Sequence, residues 1–302
     1  MSENLKNICQ KIRKLILTST TMAQSGHPTS SLSAVELMTV LFFSGFFNEK
    51  NDEVIFSKGH AAPLLYALYA VLGKIDEKKL ETLRQFGSVL EGHPTPRFPY
   101  VKVATGSLGQ GFSIGLGMAL GKRLLKNKGR VFVLLGDSEI SEGQVWEAVQ
   151  LASYYKTENL IAIVDINRLG QRGQTMLGWD VLSYQKRFES FSWKTFLVFD
   201  GHNLDEIKKV YQEALLSIEK KPKVILAKTI KGKGVSFLED KDGWHGKALS
   251  KDELEKALEE LEQNQDDKIF EKDSVEKKLF TDQSQKNLEI KNLLVRLKSY
   301  FN

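Results

Sequence analysis

The sequence predicts an α/β protein: a parallel sheet covered by helices on both faces. Two observations carry the fold class. At least five short apolar runs alternate with segments of helical spacing. Two of those runs, Val131–Gly136 and Leu160–Ile166, flank roughly one crossover helix, which makes a βαβ unit with parallel strands. Both end in polar side chains that meet at the carboxyl edge of the sheet, where open α/β sheets bind ligands.

In chain order, Leu5–Leu17 carries apolar residues on one helical face, with Cys9 among them as a small core residue. Gly26 and Pro28 break that helix, and Ser30 or Ser31 can cap the next one over Ala34–Phe43. Glu53–Ser57 reads as a strand, Ala61–Leu72 as a helix, and Phe86–Tyr100 as a Gly/Pro-containing loop. A helix rich in glycine and alanine opens near Gly111 and runs through Leu120. After the central unit, Thr195–Asp200 and Lys223–Lys228 are strands, with a helix over Asp205–Lys220 between them. Ser250 and Glu253 form a capping-box signature for a further helix. The expected organisation is a main domain over 1–250 and a charged helical extension over 251–302. Within the extension, Gln263–Gln285 reads as a polar linker and Leu288–Phe301 as a second amphipathic helix.

Composition excludes several classes. The 302 residues are 41% hydrophobic and 27% charged, as in ordinary globular domains. The net charge of +5 is spread along the chain and forms no basic block, so it argues against nucleic-acid binding. One cysteine excludes an internal disulfide and fits a reducing compartment. No apolar run is long enough to span a membrane, and no secretory signal is evident, so a cytoplasmic location is expected.

The chemistry centres on Val131–Gly173. Asp137 supplies a carboxylate, Asn167 an amide oxygen, and the turn after Asn167 a backbone carbonyl. These are hard oxygen ligands, and with phosphate oxygens and water they suit Mg²⁺. Gly136 admits a phosphate close to the backbone, and the helix after Ser138 can aim amide groups at an anion. The stretch reads either as a magnesium–diphosphate site or as an ordinary Gly-Asp turn with an N-cap serine. All five histidines, His27, His60, His93, His202 and His245, lie beside a glycine in a turn or at a strand end, where α/β folds build active sites. Imidazoles recognise hydroxyls and phosphates and transfer protons near neutrality. Zinc is disfavoured because no close His/Cys pair occurs. Nucleophilic catalysis is unsupported: there is no Gly-x-Ser-x-Gly elbow, and Cys9 has no evident base.

Taken together, these stretches resemble the N-terminal, diphosphate-binding half of transketolase. The carriers are Ser25-Gly26-His27-Pro28-Thr29-Ser30, Ser57-Lys58-Gly59-His60-Ala61-Ala62-Pro63, Gly92-His93-Pro94, Thr105-Gly106-Ser107-Leu108-Gly109-Gln110-Gly111, Gly136-Asp137 through Asn167, and Trp244-His245-Gly246-Lys247. They run in family order across the first 250 residues. The resemblance implies a thiamine-diphosphate-binding fold, with thiamine diphosphate and a divalent metal, usually Mg²⁺ (or Ca²⁺ or Mn²⁺), held by Asp137, Asn167 and the Leu169 carbonyl. It assigns cofactor contacts to Ser30, His60, Gly106, Ser107, Leu108, Ser138, Asn167, Gln171, Lys228 and His245. His27, His93 and His245 would bind sugar hydroxyls and steer protons, and Glu142 would lie near a subunit interface. His202 also aligns, with no catalytic role assigned.

Two departures qualify the resemblance. Ser138 stands where the family has glycine, which keeps the amide but removes cheap access to positive φ. The family's chains are also much longer, with a second domain that binds the aminopyrimidine. The expectation is therefore one subunit of a split transketolase, inactive without a pyrimidine-domain chain, in an α2β2 assembly that acts on sugar phosphates. Other thiamine-diphosphate ligases of the dihydroxyacetone or deoxyxylulose phosphate synthase type, and a non-catalytic cofactor- or partner-binding subunit, are the alternatives.

Overall fold

The computed structural model describes residues 2–263. Of the expected linker only Gln263 is described, as the last residue of a helix that begins at Lys251; the rest of the linker and the second amphipathic helix lie outside the described residues. Five parallel strands form one sheet in the order β1-β2-β3-β5-β4: β1 Glu53–Phe56, β2 Val131–Gly136, β3 Leu160–Ile166, β4 Lys194–Val198 and β5 Lys223–Lys228. The register sets Gly136 beside Asp165, and Asp165 beside Ala227.

Side chains alternate strictly between two apolar layers. Phe132, Leu134, Ile161, Ile163, Ile225 and Ala227 enter one layer with the helices α1 Ser2–Met22, α3 Val35–Phe43, α4 Ala62–Val71, α8 Leu204–Leu216 and α9 Lys251–Gln263, and Leu32 of the short α2 Pro28–Leu32 joins the same layer. Val133, Leu135, Ala162, Val164, Val224 and Leu226 enter the other with α5 Gln110–Leu124, α6 Gly143–Tyr154 and α7 Val181–Ser190. Burial on both faces is why β2 and β3 are continuous apolar runs and not alternating ones.

Several boundaries differ from the sequence expectation for identifiable reasons. β4 ends at Val198 because the Glu206 carboxylate takes the amides of Phe199 (2.6 Å) and Asp200 (3.3 Å), which removes them from the ladder. The segment expected as one helix over Ala34–Phe43 is preceded by α2, with Pro28 at its first turn. Helix α7 has no counterpart in the sequence expectation; Asp180 caps it by accepting from the Ser183 amide, and Val181, Tyr184 and Phe188 are its buried face. The capping box at Ser250 forms in both directions, Glu253 N to Ser250 Oγ and Ser250 N to Glu253 Oε2. Helix α9 buries Ala257 and Leu261 in the first layer, so residues 251–263 pack with the main domain.

Because every strand is parallel, the carboxyl ends share one edge. That edge receives Ser57–His60 after β1, Asp137 after β2, Asn167 after β3 and Thr229–Lys231 after β5.

Candidate active site

Asp137 is buried at the end of β2. One of its oxygens accepts from the Ser138 amide (2.9 Å), the other from the Arg168 amide (2.7 Å) and the Thr175 hydroxyl (3.3 Å). No cation pairs with it among the described residues. Burial, reinforced by the nearby Asp165 carboxylate, pushes its pKa up to about 6. Asn167 is turned so that its amide nitrogen donates to Ser33 Oγ (3.2 Å) and toward Asp165 Oδ2 (3.4 Å). Its oxygen accepts from the Leu169 amide at 3.2 Å. Arg168 takes φ +63, which turns its own amide back onto Asp137. Its guanidinium is held by both oxygens of Asp240 (2.7 and 2.6 Å) and lies over the Trp179 ring. The carbonyls of Leu169 and Gly170 face the Lys231 ammonium at 3.0 and 2.9 Å.

Lys231 is 2% exposed, and its third hydrogen bond goes to His245 Nδ1 at 2.9 Å. An ammonium only donates, so Nδ1 accepts and the His245 proton resides on Nε2. Burial and the neighbouring Lys58 lower the Lys231 pKa to about 8.

Four of the five histidines converge above this edge. His27 lies 5.1 Å from His60, 6.3 Å from His93 and 4.9 Å from His245, ring centre to ring centre, and His60 lies 5.3 Å from His245. Burial depresses all four. His27 falls to about 4, with His93 and Arg84 adding to the effect, and His245 to about 3, with Lys231 adding. His60 and His93 are lowered by burial first and by Lys58 and Arg84 respectively. At neutral pH the cluster is therefore four neutral imidazoles, each with one donor and one acceptor nitrogen. His27 Nδ1 is buried with no partner among the described residues.

Close backbone approach builds the cluster. A Cβ on Gly59 would lie 2.7 Å from Gly106 N, so only glycine lets the loop before α5 lie on the turn that carries His60. Gly106 takes φ +138, and a Cβ there would lie 2.9 Å from the His93 ring. The Glu139 carboxylate fastens the same region by accepting from Ser57 Oγ (2.5 Å), Gly109 N (2.8 Å) and Gly136 N (3.1 Å).

The remaining residues singled out from sequence are distributed as follows. Ser30 is buried, and its carbonyl accepts from Lys58 Nζ at 2.9 Å. Gly106, Ser107 and Leu108 line the loop before α5, with the Leu108 carbonyl held by Gln144 Nε2 at 2.6 Å. Ser138 adopts φ −70 and ψ −30, so the strain of a positive φ does not arise. Gln171 is exposed, as is Glu142, the extended residue that precedes α6. Lys228 is not brought into the group: it is exposed, and its ammonium sits over the Trp179 ring at 5.1 Å on the α7 side of the sheet. Lys231, three residues on, is the lysine that joins. His202 is also apart; its Nε2 accepts from the Ile230 amide (2.8 Å) and its Nδ1 meets Glu36 Oε2 (3.0 Å).

Sequence reasoning missed Lys58, Asp165, Glu139 and Lys231. A signal existed for Asp165: a carboxylate inside the apolar run of β3 must have a buried partner. Lys58, immediately after β1, is that partner.

A family model described as "Transketolase, thiamine diphosphate binding domain" matches residues 4–296. The chain is 46% identical to human transketolase over 265 residues, which is 85% of this chain and 42% of that protein. It therefore spans less than half the length of that relative. It is 34% identical to one of the subunits of apulose-4-phosphate transketolase from Phocaeicola vulgatus, over 86% of this chain and 94% of that one. Among solved structures, transketolase from Leishmania mexicana superposes with a TM-score of 0.83 at 26% identity, over 97% of this chain and 47% of that one. Transketolase from Campylobacter jejuni gives 0.79 at 31% identity, over 87% and 43%. The parallel sheet, the polar groups gathered at its carboxyl edge and these likenesses lead to one assignment: the chain belongs to the family of transketolase thiamine diphosphate binding domains.

Proposed function

We propose that this chain is the diphosphate-binding subunit of a transketolase whose aminopyrimidine-binding domain is carried on a second chain. The observation that supports it most is the convergence of four neutral imidazoles with the oxygens of Asp137, Asn167 and Leu169 at one sheet edge. The two-chain reading draws on the near full-length match to the Phocaeicola relative, whose own name makes it one subunit of a transketolase.

The donor set fits a divalent cation. Asp137 is a buried carboxylate without a cationic partner among the described residues, and Asn167 and Leu169 add neutral oxygens, a composition suited to Mg²⁺, Ca²⁺ or Mn²⁺. Among the described residues no three His, Cys, Asp or Glu side chains group as a metal site, so a mixed oxygen set of this kind is the candidate. Ser30, His60, Gly106, Ser107, Leu108, Ser138, Gln171 and His245 would contact the cofactor, with Lys231 rather than Lys228 as the ammonium near the diphosphate. Thiamine diphosphate, when bound, supplies the electron sink for breaking a carbon–carbon bond beside a carbonyl. His27, His93 and His245 would bind hydroxyls of a ketose phosphate and then of an aldose phosphate during transfer of the two-carbon unit. Being neutral, the three carry no charge into the site: His27 and His93 can each donate and accept, and His245, whose Nδ1 accepts from Lys231, offers its Nε2 proton as a donor. Glu142, exposed before α6, is assigned to contact with another subunit, in an α2β2 assembly with two copies of this chain. A cytoplasmic location goes with this reading; among the described residues no helix is long and apolar enough to cross a membrane.

The test is calorimetry of thiamine diphosphate with Mg²⁺, on the chain alone and mixed with a candidate pyrimidine-domain chain, followed by a glycolaldehyde-transfer assay. Binding, with turnover confined to the mixture, is the expected result. A stable complex that binds no cofactor would overturn the proposal and leave a non-catalytic subunit.

A further inference from the structure

Asp165 is fully buried near the end of β3, and four donors from four segments converge on it. Its Oδ2 accepts from the Lys58 ammonium after β1, from Ser33 Oγ between α2 and α3 (2.5 Å), and from the Asn167 amide (3.4 Å). Its Oδ1 accepts from the Thr229 hydroxyl after β5. Lys58, 2% exposed, also reaches Ser30 O (2.9 Å) and Ser33 Oγ (3.2 Å). Both acceptors of the Asn167 NH₂ group therefore lie within this network. A flip of the amide would press its oxygen against the Asp165 carboxylate, so the orientation is enforced. A buried ion pair is poor evidence of stabilisation, because apolar replacements are often as stable or more so. Its retention at this edge calls for a second reason.

We propose that Asp165 is a positioning residue: seated on Lys58, it fixes the Asn167 amide so that only its oxygen is offered beside Asp137. The inference rests on the reading of Asp137, Asn167 and Leu169 as holders of a divalent cation. The Lys58 charge is balanced within the pair, so it is not spent on Asp137, which keeps a carboxylate without a paired cation among the described residues. Through the Ser30 carbonyl, the same ammonium also ties α2 to the site.

The experiment follows Mn²⁺ binding by electron paramagnetic resonance, on the full chain with thiamine diphosphate, in whichever assembly binds that cofactor. Two variants are compared with wild type: the neutral pair Lys58→Met/Asp165→Asn, and Ser33→Ala, which loses a hydroxyl and no charge. Thermal midpoints and side-chain amide exchange at Asn167 are read in parallel without metal. The neutral pair is expected to melt near wild type, to exchange the Asn167 amide faster, and to bind Mn²⁺ about 10–100-fold more weakly. Ser33→Ala is expected to weaken Mn²⁺ severalfold. A folded neutral pair with wild-type Mn²⁺ affinity and amide exchange would overturn the positioning role alone. If the neutral pair does not fold, unchanged Mn²⁺ affinity in Ser33→Ala overturns it. A wild-type chain that binds thiamine diphosphate but no Mn²⁺ overturns the cation reading and this inference with it.

Discussion

His202 and His27 look alike in sequence, each preceded by glycine in a turn that leads to a helix. In the fold they differ in one respect that decides their roles. His202 has both ring nitrogens engaged, Nε2 by the Ile230 amide and Nδ1 by Glu36. Because Nε2 accepts a backbone N–H, Nδ1 carries the proton and donates to the carboxylate. His27 stands among three other imidazoles, and its Nδ1 has no partner among the described residues. Buried polar atoms in native proteins are nearly always satisfied, so His27 Nδ1 is left with a bond to make, and under the proposed function a ligand hydroxyl would complete it. The saturated histidine belongs to the scaffold, and the unsaturated one is the residue we propose for recognition.

The largest expected effect tests the scaffold side. Glu36 holds His202 and also Arg13, whose guanidinium lies 2.6 Å away with a side chain only 4% exposed. Glu36→Gln leaves Arg13 buried without its counter-charge, at a cost of about 3–5 kcal/mol in urea-unfolding free energy. His27→Gln, which disturbs no satisfied bond at Nδ1, should cost less than about 1 kcal/mol. Equal losses in the two variants would erase the distinction.

The next effect is in pH. His27 in the folded chain titrates at about 4, below the usual 6.5, because burial and neighbouring positive groups disfavour its charged form. The unfolded chain therefore binds more protons between those values, and stability rises as pH increases from about 4 to 6.5. His245, at about 3, acts in the same direction. The His27 share at pH 4.5 is of order 2 kcal/mol and should disappear from the pH dependence of His27→Gln. Urea titrations at pH 4.5 and 7 measure it. A wild-type chain with no such slope, or a slope that persists in the variant, would mean that the cluster is more hydrated than its packing indicates.

A third effect concerns two lysines and shows where sequence stops being legible. The strands were readable because two-sided burial writes itself as continuous apolar runs, and the polar residues at their ends were readable as ligand-facing. What those end residues touch depends on register. Lys228 is the last residue of β5, paired with Ile166, and its side chain leaves on the α7 face. Lys231 comes after the turn, and its position follows from the Leu169 and Gly170 carbonyls it meets. The Lys58–Asp165 pair joins two strand ends with β2 between them, an arrangement that spacing along the chain does not encode. Helix α7 was legible in principle, from Asp180 as a cap and Val181, Tyr184 and Phe188 as a stripe, but its polar interior masked the pattern. Lys231→Met should weaken thiamine diphosphate binding about tenfold or more in calorimetry with Mg²⁺, as loss of a charged hydrogen-bond donor does. Lys228→Met should stay within about twofold, as expected of an exposed side chain away from the site. The reverse ranking would return the role to Lys228.

The smallest effect is at Ser138. Glycine at this position would matter if the backbone needed positive φ, but the residue sits at φ −70 and ψ −30, in the helical region open to any side chain. Its amide is directed at Asp137 Oδ1 (2.9 Å), a bond that either residue can make. Ser138→Gly should therefore leave cofactor affinity within about twofold. It should lower stability by about 0.5 kcal/mol, because glycine gives up more backbone freedom on folding. A tenfold tighter complex in Ser138→Gly would show that the serine side chain itself stands in the way of the diphosphate. The departure from glycine would then be a steric setting of affinity, since the backbone at 138 asks for no glycine.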